Sequence, residues 1–184
     1  MTAPIDLQPG AHEHAPYYGK YTGATAAALQ ASQHTSILAL LRQQVPALRE
    51  LVRGVSAEQA LRGYEPGKWS LLESLLHVAD AERVFSYRAL RIARGDTTPL
   101  PGFEQDDWVP NSGANRRTLA DILTELDAIR AASLALFDSL DDEAVLRVGT
   151  ASGNPVSVRA LVWITAGHFA HHLELTRTRY LGGG

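Results

Sequence analysis

The chain has no cysteine. That excludes a disulfide framework, a thiolate nucleophile and every cysteine-ligated metal centre, so any metal must be held by nitrogen and oxygen. Basic charge is not in excess either: 17 lysines and arginines stand against 20 acids, for a formal net charge of −3. A nucleic-acid surface usually needs a basic stripe, and this balance does not argue for one. No apolar run approaches the ~18 residues needed to cross a bilayer. The N-terminal residues lack the basic and then apolar order of a secretion signal, which leaves the cytoplasm as the expected location. No stretch alternates polar and apolar residues with β-branched enrichment, so no sheet of consequence is expected. Internal repeats and low-complexity segments are missing as well.

What is present has the bulk character of a globular protein. The 184 residues are 45% hydrophobic and 20% charged, enough for one domain with its own core. Residues 1–23 carry Pro4, Pro9, Gly10, Pro16, Gly19 and Gly23. They read as an N-terminal arm, with Tyr17, Tyr18 and Tyr21 available for packing. Residues 24–184 then form the domain proper. Apolar residues from Ile37 to Val52 recur at three- and four-residue steps and predict a helix from about Thr25 to Arg53, kinked or restarted at Pro46. Ser70, with Glu73 three residues on, opens a second helix that runs to about Ala93. A long loop follows over 96–117. Thr118 starts a third helix to about Leu140, and Ser157 a fourth to about Leu181. Ser56 and Asp141 each introduce a short helical turn, and Gly149–Pro155 reads as a loop. The fold class is therefore all-α: a four-helix bundle whose loop between the second and third helices is long enough to cross over.

The chemistry-bearing signal is a pair of histidines. His168 and His172 are four residues apart, which stacks two imidazoles on one helix face. With about 100° per residue, both fall on the apolar stripe of Leu161, Ile164 and Leu175. His171 lies at the edge of that stripe. His77 lies beside the apolar band of the second helix, in a strip with Glu73, Asp80 and Arg88. A histidine there is either a hydrogen-bonded core residue or a ligand, and nothing local to His77 decides. Should the second and fourth helices pack together, three nitrogens could meet on one divalent ion and leave positions open for chemistry. Asp80, one turn from His77, could orient its ring, ligate, or accept a proton. Phe169 stands where a zinc protease would need its glutamate, which excludes that class. Glu73 and Arg88 read by default as surface charges, His12 and His14 as solvated, and His34 as structural or exposed.

Taken together the motifs resemble the DinB-like family. The resemblance rests on Tyr64-Glu65-Pro66-Gly67-Lys68-Trp69-Ser70, on His77-Val78-Ala79-Asp80-Ala81-Glu82-Arg83 and on Arg88-Ala89-Leu90-Arg91. It extends to Pro99-Leu100-Pro101-Gly102-Phe103 with Asp106, Asp107 and Trp108, and to Gly167–His172 with Arg179-Tyr180-Leu181. The resemblance implies a four-helix bundle with a crossover. It also implies a divalent metal, nickel or zinc, on His77, His168 and His172. It further implies a metal-dependent transferase joining a low-molecular-weight thiol such as bacillithiol to small electrophiles, and a homodimer acting in stress response. The alternative is a non-catalytic metal- or ligand-binding protein whose three-histidine site is structural. Three imidazoles suit zinc, nickel, copper and iron alike, so the sequence names neither the metal nor the substrate.

Overall fold

The computed structural model describes residues 2–32, 34 and 36–182. In chain order the helices are α1 (Gly19–Ser32), α2 (Ile37–Leu51), α3 (Ala57–Ala60), α4 (Leu71–Ala93), α5 (Gln105–Trp108), α6 (Leu119–Asp138), α7 (Asp142–Leu146) and α8 (Val158–Leu175). A hairpin of β1 (Val148–Ala151) and β2 (Asn154–Ser157) precedes α8, and a π-helical turn, Thr176–Tyr180, follows it. None of the described helices is long and apolar enough to cross a membrane.

Helix starts follow from capping chemistry. Ser70 Oγ accepts from the Glu73 N–H while the Glu73 carboxylate accepts from the Ser70 N–H. Thr118 and Asp121 do the same for α6. Each box satisfies donors that the first helical turn leaves orphaned. Ser157 Oγ accepts from the Ala160 N–H at the start of α8.

Four long helices, α2, α4, α6 and α8, make the bundle. Around it, α6 packs between α2 and α4, and α8 closes the ring between α4 and α2. Cross-helix pairs give the directions. Ser70 meets Asn115, Glu82 meets Arg130 and Ser86 meets Ser133, so α4 and α6 run parallel. Ser74 meets His172 and His77 meets His168, so α4 and α8 run antiparallel. Parallel neighbours force residues 94–118 to return along the whole bundle. At about 1.5 Å per residue, the 23-residue α4 is roughly 34 Å long. This is the crossover that the long loop implied.

A buried ion pair braces the ring. Arg130 donates two hydrogen bonds to the Glu82 carboxylate, both at 2.9 Å. It also donates to the Leu41 carbonyl and to Gln44 Oε1, and its guanidinium lies 4.8 Å from the Phe169 ring centroid. One side chain of α6 thus touches the other three bundle helices. Removing either partner of such a pair costs about 3–5 kcal/mol, because the other charge is left buried alone.

The structure departs from the sequence reading in four places. The break in the first helical region falls between Ser32 and Ile37, not at Pro46, which sits inside α2. Proline forfeits one hydrogen bond, and the buried neighbours Val45 and Leu48 hold the helix on both sides of it. Gly19–Gly23, expected in the arm, already belongs to α1. His14 is buried rather than solvated, its Nδ1 2.9 Å from the Ala15 carbonyl. Finally, residues 148–157 form a hairpin where a plain loop was expected, with positive φ at Ser152 and Gly153. Two positive φ values in a two-residue connection match the twist of paired strands, and only the glycine adopts one freely.

The arm is tied down. Ile5 accepts from the Trp163 indole N–H, and Asp6 accepts from the Ile37 N–H. Glu13 takes hydrogen bonds from Arg159 and Ser157. Burial alone would raise the Glu13 pKa; bonds from Arg159, the Gly10 N–H and Ser157 outweigh it and hold the carboxyl at about 2. The arm leads into α1, which lies along α8. There a Cβ added to Gly167 would fall 1.9 Å from the Tyr21 carbonyl oxygen and 2.8 Å from Thr25 Oγ1. The adjacent Thr25 hydroxyl donates to the Trp163 carbonyl at 2.7 Å. Gly167→Ala should therefore prise α1 from α8 and destabilise the protein by about 1–3 kcal/mol. Urea denaturation checks this; an unchanged midpoint would contradict the close approach.

Candidate metal centre

The faces of α4 and α8 that meet carry the three histidines. His77 comes from α4, and His168 and His172 stand one turn apart on α8. His77 Nε2 lies 3.1 Å from His168 Nε2. One ring nitrogen from each of the three residues lies within 4.8 Å of the others. Nitrogens bound to one metal at about 2.0–2.1 Å are on the order of 3 Å apart, so the side chains fit such an ion. Three imidazoles supply neutral nitrogen donors and leave the charge of a divalent ion intact.

Burial makes them neutral. His77, His168 and His172 are 5%, 5% and 7% exposed. Desolvation lowers the His77 pKa to about 4, opposed by the negative charge of Asp106. His168 and His172 are pushed well down, first by burial and then by the other imidazoles and Lys20. A protonated imidazole has no lone pair for a metal, and burial favours the neutral form, which has one.

Neighbours hold the rings. Ser74 Oγ is 3.0 Å from His172 Nδ1, which leaves Nε2 for the cluster. The Trp69 ring packs 5.1 Å from that of His77, and Tyr21 stands edge-on to His168 at 5.2 Å. Tyr21 is fixed by the α1–α8 contact at Gly167. The Tyr180 hydroxyl, carried by the π-helical turn, donates to the Trp69 carbonyl at 2.8 Å.

Two cavities open on the cluster. One, about 470 Å³, is walled by Tyr18, Phe85 and Phe103 and reaches His77 and His168. The other, about 360 Å³, contains Trp69, Ser74 and Tyr180 and reaches His77 and His172. Tyr21, Gln105 and Asp106 line both. The crossover loop supplies Phe103, Gln105 and Asp106, and the segment entering α1 supplies the tyrosines.

Asp80 is not part of this arrangement. It hydrogen-bonds Arg83 at 3.3 Å and lines an apolar groove on the other side of α4; burial raises its pKa. No hydrogen bond joins it to His77 among the described residues. One turn of helix rotates the side chain about 60° off the preceding ring, enough to turn it toward α6. The carboxylate that faces His77 is that of Asp106. Its place in the loop is visible in the sequence, but its approach to a residue 29 positions earlier is not. Glu73 caps α4 and accepts from Asn115 Nδ2 at 3.0 Å. Arg88 is buried, not solvated: it donates to the Pro101 carbonyl at 2.7 Å and to Ser152 Oγ at 3.1 Å, pinning the crossover loop to the hairpin. His171 is exposed and borders the smaller cavity beside Tyr21.

Residues 40–176 match the sequence profile of the DinB superfamily. The chain belongs to the DinB superfamily. Among the curated relatives of this DinB chain, a candidate metal-dependent hydrolase of Oceanobacillus iheyensis is 26% identical over 130 residues, 67% of this chain and 74% of the relative. A second candidate metal-dependent hydrolase, from Geobacillus thermodenitrificans, is 24% identical over 139 residues, 73% of this chain and 77% of the relative. Among solved structures, YfiT from Bacillus subtilis, described as a probable metal-dependent hydrolase with an unusual four-helix bundle topology, superposes with a TM-score of 0.68. That match covers 96% of this chain and 95% of YfiT at 17% identity, and shows the shared fold.

The pH dependence of the metal-free DinB chain follows from the lowered histidine pKa values. Below about pH 6.5 the unfolded chain binds protons that the folded cluster refuses, so the unfolded state holds more of them. Stability conferred by the neutral rings is complete above that pH and is lost as pH falls toward about 4. Urea midpoints should drop steadily across this window; a flat profile between pH 7 and 4.5 would contradict the buried cluster.

Proposed function

We propose that this chain is an enzyme in which His77, His168 and His172 hold a divalent cation, nickel or zinc, for chemistry on small molecules. The observation that carries it is the convergence of three buried imidazoles at a point where two cavities meet. A purely structural centre is closed by protein ligands, whereas this cluster is open on two sides. A cation bound there would polarise an electrophile and lower the pKa of a water or thiol nucleophile. The chain's own residues do the rest. Tyr18, Phe85 and Phe103 exclude water on one side. Ser74 holds the His172 tautomer. Asp106 lies on the wall common to both cavities and, rather than Asp80, would take up a proton.

With water as nucleophile the reaction is hydrolysis, the activity in the names of both bacterial relatives. The second reading is transfer of a low-molecular-weight thiol such as bacillithiol. It draws support from the two separate cavities, which give an electrophile and a cosubstrate a place each. The choice of nickel or zinc, a homodimer and a stress-response setting rest on the family resemblance.

His168→Ala should sharply lower the metal content of protein purified without a histidine tag. Elemental analysis reads this, and unchanged content would sink the ligand assignment. Asp106→Asn should keep the metal and lower kcat by about 10²–10⁴-fold, the usual contribution of a positioned base. Asp80→Asn should leave kcat unchanged. The assays are ester and amide hydrolysis and thiol consumption with an alkylating electrophile, each with and without nickel or zinc.

A further inference from the structure

The chain contains only two lysines, Lys20 and Lys68, against fifteen arginines. They are 48 residues apart in sequence, on α1 and on the loop before α4. Both line the smaller cavity beside His77 and His172. Most arginines are spent on carboxylates, from the buried Glu82–Arg130 pair to surface pairs such as Arg83–Glu125. Neither lysine has a carboxylate within ion-pair range among the described residues. Lys20 Nζ sits 4.7 Å above the Tyr21 ring, the same ring that packs on His168. Lys68 is presented by a tight turn: its N–H donates to the Glu65 carbonyl at 3.1 Å, and Gly67 before it has φ +78°. That backbone value suits glycine and sets the direction in which Lys68 leaves the turn.

The two cavities are electrically opposite. Among described residues, the larger is lined by the acids Glu104 and Asp106 and by no lysine or arginine. The smaller has both lysines and, of the acids, only Asp106. An ammonium is a flexible point charge with three donors, suited to a small oxyanion. Both lysines are exposed and line one cavity with a single carboxylate, Asp106, so the cavity carries an excess of positive charge that a bound anion would offset.

We infer that the smaller cavity is an anion subsite: Lys20 and Lys68 bind a carboxylate or phosphate group of the substrate. The reacting bond then lies at the three histidines, and the uncharged remainder of the molecule in the aromatic cavity of Tyr18, Phe85 and Phe103. This orientation rests on the proposed function, whereas the anion site rests on the lysines. The substrate class is a small organic acid or phosphate with an apolar or aromatic body.

The test is calorimetric titration of the full chain, metal-free and zinc-loaded, with phenylacetate, phenyl phosphate and neutral benzyl alcohol. Both anions should bind the parent protein, and the tighter of the two identifies the preferred group. The double variant Lys20→Gln/Lys68→Gln should bind them at least about tenfold more weakly, with melting temperature and zinc content unchanged. Benzyl alcohol should not distinguish the two proteins. The inference is overturned if neither anion binds the parent, or if the variant binds the anions as tightly. It is also overturned if benzyl alcohol affinity falls in step with anion affinity. Zinc content is a separate readout. Lysine-dependent anion binding by a chain that takes up no zinc would remove the metal reading and keep the subsite.

Discussion

Three neutral imidazoles packed between two antiparallel helices are the constraint around which this structure is arranged. Neutral histidine in a dry interior needs partners for its nitrogens, and here His77 and His168 turn theirs toward each other. Such a cluster is a poor way to fill a core. Leucines at the same positions would bury more apolar surface and carry no penalty in acid. Under the proposed function the arrangement makes sense as a set of lone pairs that a cation could reach.

The rest of the fold serves that opening. Parallel α4 and α6 oblige the connecting chain to run back along the bundle, and on its way it lays Phe103, Gln105 and Asp106 over the histidines. Arg88 and the hairpin hold this loop in place. From the other side the arm, anchored by Glu13 on Arg159 and Ser157, leads Tyr17, Tyr18 and Tyr21 to the same mouth. Buried polar contacts thus sit where precision is needed. The Glu82–Arg130 pair fixes the relation of the four helices, and the Gly167 contact fixes α1, hence Tyr21, against α8.

Membership of the DinB superfamily and the likeness to YfiT set the scaffold, while the chemistry has to be argued from the site. Its asymmetry is the useful feature. An aromatic, acid-rimmed cavity lies on one side of the histidines and a lysine-lined one on the other, which gives any bound molecule a direction. Asp106, on the boundary, is the carboxylate common to both.

The helical architecture follows from local patterns in the chain. Ser70, Thr118 and Ser157 mark their helices because capping is local chemistry, and the four-residue spacing of His168 and His172 fixes a shared face whatever surrounds it. Room for a crossover was legible too, from the length of the loop after Gly95. What touches what depends on how the elements pack. Helical periodicity placed Asp80 near His77 along the chain, but Asp80 pairs with Arg83 on its own helix, and the carboxylate facing His77 is that of Asp106, brought there by the crossover loop. Arg88 looked like a surface charge until the loop folded over it, and Pro46 looked like a break until flanking leucine and valine held it in a helix. Partners distant in sequence are chosen by the whole packing arrangement, and no local pattern encodes that choice.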